Sequence, residues 1–585
     1  MRFELIRCSL AAVLLLGLGG ASATRAQESA PPAEPTAAPP ESPPEGEFFE
    51  SIDVNVVNVD VFVTDKKGNR IRGLGADDFD LFEDGKPVAI TNFYAVEDGR
   101  PAVVESDSVT GVVEPGQPAP APAPAPLALE ASDIPEEQRL HVVVYIDNWN
   151  IKPFNRNRVF ASLRQFLRNE LSAGDRVMLV TYERSRHIRR PFTSDPVTIA
   201  SALFELERLS ANGQSLERDR REMLERIRDP SYSGGTGSLT YQARNYAQAL
   251  YSDLSFTIDS LKETVTSLSG LPGRKAVIYV SDGLEMVAGE DIFHAVQEAT
   301  NDMQSGLLME SRQFDLSRRY LELVSTANSS RVAFYNIDAS GLRAPSAGSA
   351  EYRSSGTSTM VDSIYFSNLV SSLLTLSDGT GGITIRNTND AAKGLVLIAE
   401  DFKNYYSLGY SPSTLSTGRY RKLEVRTKDK SLVVRHREGF RDKSVEARMA
   451  DGVQAALNFD YESNPLGVVV DRGDEQPRSD GNYLVPISVR IPIGKLTLLP
   501  TGALHVARAK LFVAVMDDKG WRSEVSEARV PIEIDSDRVA DAQQGYWRYD
   551  LNLVMRGGVQ RLAVGLRDEL GQVSSFAVKT IGVGR

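Results

Sequence analysis

Residues 140–153 read LHVVVYIDNWNIKP. From Val142 to Ile146 both alternating positions are apolar, so the strand has no solvent face and belongs inside a sheet covered on both sides. Asp147 then stands where that strand must end. Working outward, Val177–Tyr182, Ala276–Val280 and Val332–Ile337 are runs of the same kind. Between them Val159, Leu163, Phe166, Leu167 and Leu171 recur at helical spacing, as do Ala247, Leu250, Leu254, Ile258, Leu261, Val265 and Leu268. Gly174 and Gly270 follow these patterns as expected helix C-caps. Strands alternating with helices predict a mostly parallel central sheet with helices on both faces. In such sheets ligands gather beyond the carboxyl ends of the strands, where Asp147 and Asp282 both fall.

The flanks have a different texture. A chain of 585 residues exceeds what one core can organise, so several domains are expected. Residues 1–26 carry a basic start, an apolar stretch and small-residue exits, the pattern of a signal peptide, which implies export to the periplasm, cell envelope or exterior. Residues 27–47 and 106–136 are Pro-rich and Ala/Pro-rich linkers. The segment 48–105 reads as a β-strand region, 137–402 as the α/β domain, 403–445 as further strands and 446–585 as a C-terminal β-sandwich. The strands of 48–98 and of 403–445 are each too few to bury two sheet faces, so together they are expected to complete one sandwich with the α/β domain inserted between its halves. Strands ending in Asp-x-x-Gly recur at 61–68, 513–520 and 564–571, the chemistry of hairpin turns with a glycine at positive φ.

Composition excludes several classes of function. The formal charge is −12 and becomes more negative by two once Arg2, Arg7, Arg25 and Glu4 leave with the signal, which disfavours a nucleic-acid partner. The single cysteine, Cys8, leaves too, so neither disulfides nor thiolate metal sites are expected after export. The five histidines have no metal-ligand spacing, and neither a nucleophile elbow nor a P-loop lysine motif occurs. The reading is of a binding protein and not an enzyme. The glycines of SDGTGGITI follow a helical pattern and are read as a helix-to-strand turn.

Three segments belong together: IDNWN at 146–150, GGTGS at 234–238 and VSDG at 280–283. They resemble the von Willebrand factor A (VWA) domain, whose metal-ion-dependent adhesion site takes Asp-x-Ser-x-Ser after the first strand, a Thr from a loop and an Asp after the fourth strand. GDRVMLVTYERS and LPGRKAVIYVSDG are similar to the family's second and fourth strands. A narrower resemblance, over most of 50–440, is to the secreted VWFA-related proteins typical of Acidobacteria. It rests on VNVVNVDVFVTDKKGN, DDFDLFEDGKPV and the tail YYSLGYSP…YRKLEVRTKDKSLVVRHREGF. The resemblance implies a Rossmann-like VWA domain combined with β-sandwich modules, a protein partner met through an acidic side chain, and a site for Mg²⁺ or another divalent cation. Its ligands here would be Asp147, Thr236 and Asp282, with an amide oxygen from Asn150 or Asn148. Trp149 and Ile151 stand at the two serine positions and offer no oxygen, which leaves a degenerate site. Two functions follow: adhesion through a metal completed by a partner carboxylate, or a metal-independent envelope scaffold with a vestigial site.

A plainer account of the same residues makes Asp147 and Asp282 strand-end groups and Thr236 the cap of a helix beginning near Thr240. LERDRREMLERIRD, 216–229, is expected to be a charged amphipathic helix lying on the domain. The Gly/Ser-rich loop 341–360 is expected to be mobile near the binding face.

Overall fold

The computed structural model describes residues 56–102, 139–172, 174–229, 235–300, 306–343, 358–412 and 418–584. The expected signal, both linkers and most of the 341–360 loop lie outside them.

The two flanking strand segments pair with each other. Val57–Thr64 runs antiparallel to Tyr405–Tyr410, with Val59 opposite Leu408, and also pairs with Val433–His436. Asn92–Glu97 extends this sheet on the far side of Tyr405–Tyr410, and Arg100–Ala102 closes it. A second sheet is ordered Gly439–Arg441, Tyr420–Thr427, Phe79–Glu83, Lys86–Val88. Val59, Val61 and Val63 from the first sheet meet Leu81, Leu423 and Val425 from the second in one apolar core, with Phe79 and Tyr406 ring to ring at 5.3 Å. Period-two alternation explains this, since only every second side chain of each strand reaches the shared interior.

Between the halves lies the six-stranded sheet, ordered Thr384–Ile385, Val332–Asp338, Arg274–Ser281, Leu140–Asp147, Arg176–Tyr182, Arg186–Thr193. All neighbours are parallel except the last pair. Both faces are covered. Val143 and Tyr145 face the helices Gly235–Ser267, Ser317–Ser329 and Thr359–Thr380, and Val142, Val144 and Ile146 face Pro153–Asn169, Pro196–Leu206 and Ala391–Lys403. Arg176–Tyr182, the next strand in the chain, pairs on one side of Leu140–Asp147 and Arg274–Ser281 pairs on the other, so the order reverses at Asp147.

Toward the C-terminus one sheet built on Asn482–Pro492 and Tyr546–Arg556 and another built on Leu504–Asp517, Gly558–Asp568 and Val573–Val583 enclose a further core. The helix Val445–Phe459, unforeseen from sequence, covers the second sheet through Met449, Val453, Ala456 and Leu457. Its signal was present: an i, i+4 apolar stripe behind Ser444, whose hydroxyl accepts from the Ala447 N–H. The three Asp-x-x-Gly segments are hairpin turns in which Asp65, Asp517 and Asp568 accept main-chain N–H bonds two to four residues ahead. In the third, Gln572 and not Gly571 takes the positive φ. Among the described residues no helix is long and apolar enough to cross a membrane.

Candidate functional site at the carboxyl edge of the central sheet

Three neighbouring parallel strands end in or just before acidic residues: Asp147, Asp282 and Asp338. Asp147 is fully buried. Its Oδ1 accepts from the N–H groups of Trp149 (3.1 Å) and Asn150 (3.0 Å), and its Oδ2 accepts from Asn150 Nδ2 (2.9 Å) and the Tyr279 hydroxyl. Four donors match the roughly four lone-pair sites of a carboxylate. Burial pushes the carboxyl pKa of Asp147 up, against the pull of the Tyr279 and Asn150 hydrogen bonds.

Asp282 is half-buried and likewise engaged. Oδ2 accepts from Lys152 N (2.9 Å), and both oxygens receive Asn155 Nδ2, at 2.9 and 3.0 Å. Burial pushes this carboxyl up to about 6, with the Lys152 N–H and the Asn155 amide acting in the opposite direction. Asp338, which sequence reasoning did not single out, accepts from the Ser340 N–H (3.1 Å) and from Arg343 Nη2 (3.0 Å). Arg343 also donates to the Asp282 carbonyl at 2.9 Å.

Asn150 joins the first two aspartates. Its side-chain amide donates to Asp147 and to Thr257 Oγ1 (3.2 Å), while its carbonyl accepts from Asp282 N (3.1 Å) and Ser281 Oγ (3.2 Å). The hydrogen-bonding pattern therefore presents the Asn150 nitrogen, not its oxygen, to Asp147. Asn148 is buried between Glu183 and Arg156, donating to one and accepting from the other at 2.9 Å each. Thr236 lies in the first turn of Gly235–Ser267, so the helix begins before it and not near Thr240; its side chain is outside the described residues.

The oxygens of Asp147 and Asp282 already face N–H and O–H donors, and Asn150 turns a nitrogen toward its neighbour. A hard cation needs open oxygens. Among the described residues no three acidic, histidine or cysteine side chains are grouped to share one ion. The described carboxylates of this edge are thus occupied by donors of the chain itself.

Ile151 is fully buried in the core under the Pro153–Asn169 helix. Trp149 is half-buried, packed on the opposite core with the Arg184 guanidinium 4.2 Å from its ring. Asn212 N donates to the Asn148 carbonyl and Gly213 N to the Ile151 carbonyl, so the charged helix Gly213–Arg228 is tied to this loop. Its Arg220 is buried and reaches Asp291 (2.7 Å) and Asp362 (3.3 Å). The helix is an integral part of the domain.

Two apolar side chains stand exposed among the described residues of this edge. Phe154 is 73% exposed and Leu342 60%. Arg158 ties the Phe154 helix to the turn after Val332–Asp338, its guanidinium 5.8 Å from the Phe154 ring and donating to the Ala339 carbonyl at 2.6 Å. Gly341 takes φ +79°, where a side chain would be strained, and a Cβ there would displace Asn389 Oδ1 at 2.2 Å and Arg158 Nη2 at 2.5 Å.

No protein-family model matches the chain, and no curated protein matches it. Solved structures similar to it include conserved hypothetical protein BatB from Bacteroides thetaiotaomicron, 14% identical over 45% of this chain and 96% of that one, with a TM-score of 0.22. A von Willebrand factor type A protein from Catenulispora acidiphila is 11% identical over 76% of this chain and 65% of that one, with a TM-score of 0.18. The three N-terminal domains of the type V pili tip protein Mfa5 from Porphyromonas gingivalis are 11% identical over 75% and 70%, with a TM-score of 0.21. Likenesses of this size decide nothing about function.

Proposed function

We propose that this is an exported, VWA-type protein-binding module that recognises a protein partner at the carboxyl edge of its central sheet without a bound metal. The observation that carries this is the closure of the edge on itself: Asp147 and Asp282 are taken up by protein donors, while Phe154 and Leu342 stand exposed beside them. The aspartates act as staples that hold the 147–155 loop rigid, and a rigid loop loses little entropy on binding. An exposed aromatic ring with an arginine against it belongs to the residue types enriched at protein interfaces. The reading is of recognition and not turnover.

Capture from the envelope of the producing cell on the immobilised full chain tests the proposal. The same protein should be retained in EDTA and in magnesium, and Phe154→Ala with Leu342→Ala should release it in both. Release by EDTA alone would favour the metal-dependent adhesion reading.

A further inference from the structure

At the opposite, amino-terminal edge of the central sheet lies a cavity of about 350 Å³. It is lined by the 269–273 turn, the start of the Arg274–Ser281 strand, the residues just before Val332–Asp338, and the 440–452 segment. The volume falls at the lower end of the ~300–1,000 Å³ typical of small-molecule sites. The lining holds seven basic side chains and two acidic ones, in a chain whose overall charge is −12.

Three of the basic side chains, Lys275, Arg331 and Arg437, form no ion pair within 4 Å among the described residues. Lys275 is 5% exposed, and among the described residues its ammonium donates to the Leu271 carbonyl at 2.6 Å and pairs with no carboxylate. The nearby carboxylate of Asp451 is held by Lys443 (2.7 Å) and Ser269 (2.9 Å). Arg437 donates to the Asn328 and Asn58 carbonyls at 3.1 and 2.7 Å, and its buried Nε has no partner among the described residues. Arg331 lines the same cavity, is exposed, and forms no ion pair among the described residues. A buried ammonium without a paired carboxylate is costly to keep, and the guanidinium groups of Arg331 and Arg437 nearby raise that cost. Burial and the neighbouring Arg331 and Lys443 push the Lys275 ammonium down to about 7, a cost that an added anion would relieve.

We propose that this cavity binds a soluble small molecule bearing a multivalent oxyanion, a phosphate or sulfate group, held by Lys275, Arg331 and Arg437. Guanidinium and ammonium donors lining one cavity suit a tetrahedral oxyanion, which offers several acceptor oxygens at once. The cavity is concave and lined from several elements, which suits a small solute.

Isothermal titration of the full chain with inorganic phosphate, pyrophosphate and sulfate, at constant ionic strength set with chloride, tests the assignment. Saturable heat is expected for at least one of the three, and Arg331→Ala, an exposed change that leaves the fold intact, should weaken it tenfold or more. Lys275→Met should do the same, and if that variant does not fold the Arg331 result stands alone. No heat from any of the three oxyanions, or heat that Arg331→Ala leaves unchanged, would overturn the site.

Discussion

Replacing Asp147 by alanine separates a structural carboxylate from a metal ligand. The substitution removes the acceptor of four donors: two main-chain N–H groups, the Asn150 amide and the Tyr279 hydroxyl. Each buried donor left unpaired costs about 1–3 kcal/mol. A water entering the space would satisfy some of them, and relief of a buried charge returns part of the cost, since burial disfavours the ionised Asp147. The net expectation is a loss of about 3–5 kcal/mol, a large part of the roughly 5–15 kcal/mol by which domains are stable. Asp147→Asn, which keeps the shape and one carbonyl oxygen, should lose less, about 1–2 kcal/mol. The assay is urea unfolding of the full chain in EDTA, followed by far-ultraviolet circular dichroism, to which the helices around the central sheet contribute most. A carboxylate kept only for a cation would behave differently. An alanine variant as stable as the native chain in EDTA, or more stable, would refute the staple reasoning.

Other consequences are as specific. Arg220→Met should destabilise the α/β domain by about 3–5 kcal/mol, because it leaves the buried Asp291 and Asp362 without their cation; a urea midpoint unchanged from the native chain would show that the pair is dispensable. Asp282, whose folded pKa is raised from 3.8 to about 6, contributes stability that is present below pH 3.8 and lost as pH rises through 6. The native chain should therefore lose on the order of 2–3 kcal/mol relative to Asp282→Asn across that window, and parallel pH–stability curves for the two would contradict it. Ile151→Ser, which would restore a hydroxyl at one family position, should cost about 2–4 kcal/mol by emptying a fully buried site, so thermal unfolding should fall by several degrees in EDTA and in magnesium alike.

Much of the fold was legible because its signals are local. A strand apolar on both faces, as from Val142 to Ile146, has few places to go other than the middle of a covered parallel sheet, and the observed order puts it there. The pairing of 57–64 with 405–410 could be anticipated by counting strands, although nothing in either segment specifies the register that sets Val59 against Leu408. The helix 445–459 is hard to read from sequence because its stripe of Met, Val, Ala and Leu is short and sits among strand-forming segments. At the site, chain order located Asp147 and Asp282 at strand ends, but the donors that occupy them come from afar. Tyr279 is 132 residues from Asp147 and Asn155 is 127 from Asp282. Whether a carboxylate faces solvent or a neighbour's N–H depends on such tertiary contacts, which residue type and spacing do not encode. The basic cavity is still less visible in one dimension, since Lys275, Arg331 and Arg437 are scattered single residues in an acidic chain.

Calorimetric titration of the full chain with magnesium and then manganese chloride, at millimolar concentrations and neutral pH, bears most directly on the claim that the carboxyl edge is closed by its own donors. With Asp147 and Asp282 already engaged by N–H and O–H groups, no saturable heat is expected from either cation. A saturable heat that disappears in Asp147→Asn would contradict the account and make the edge a metal site.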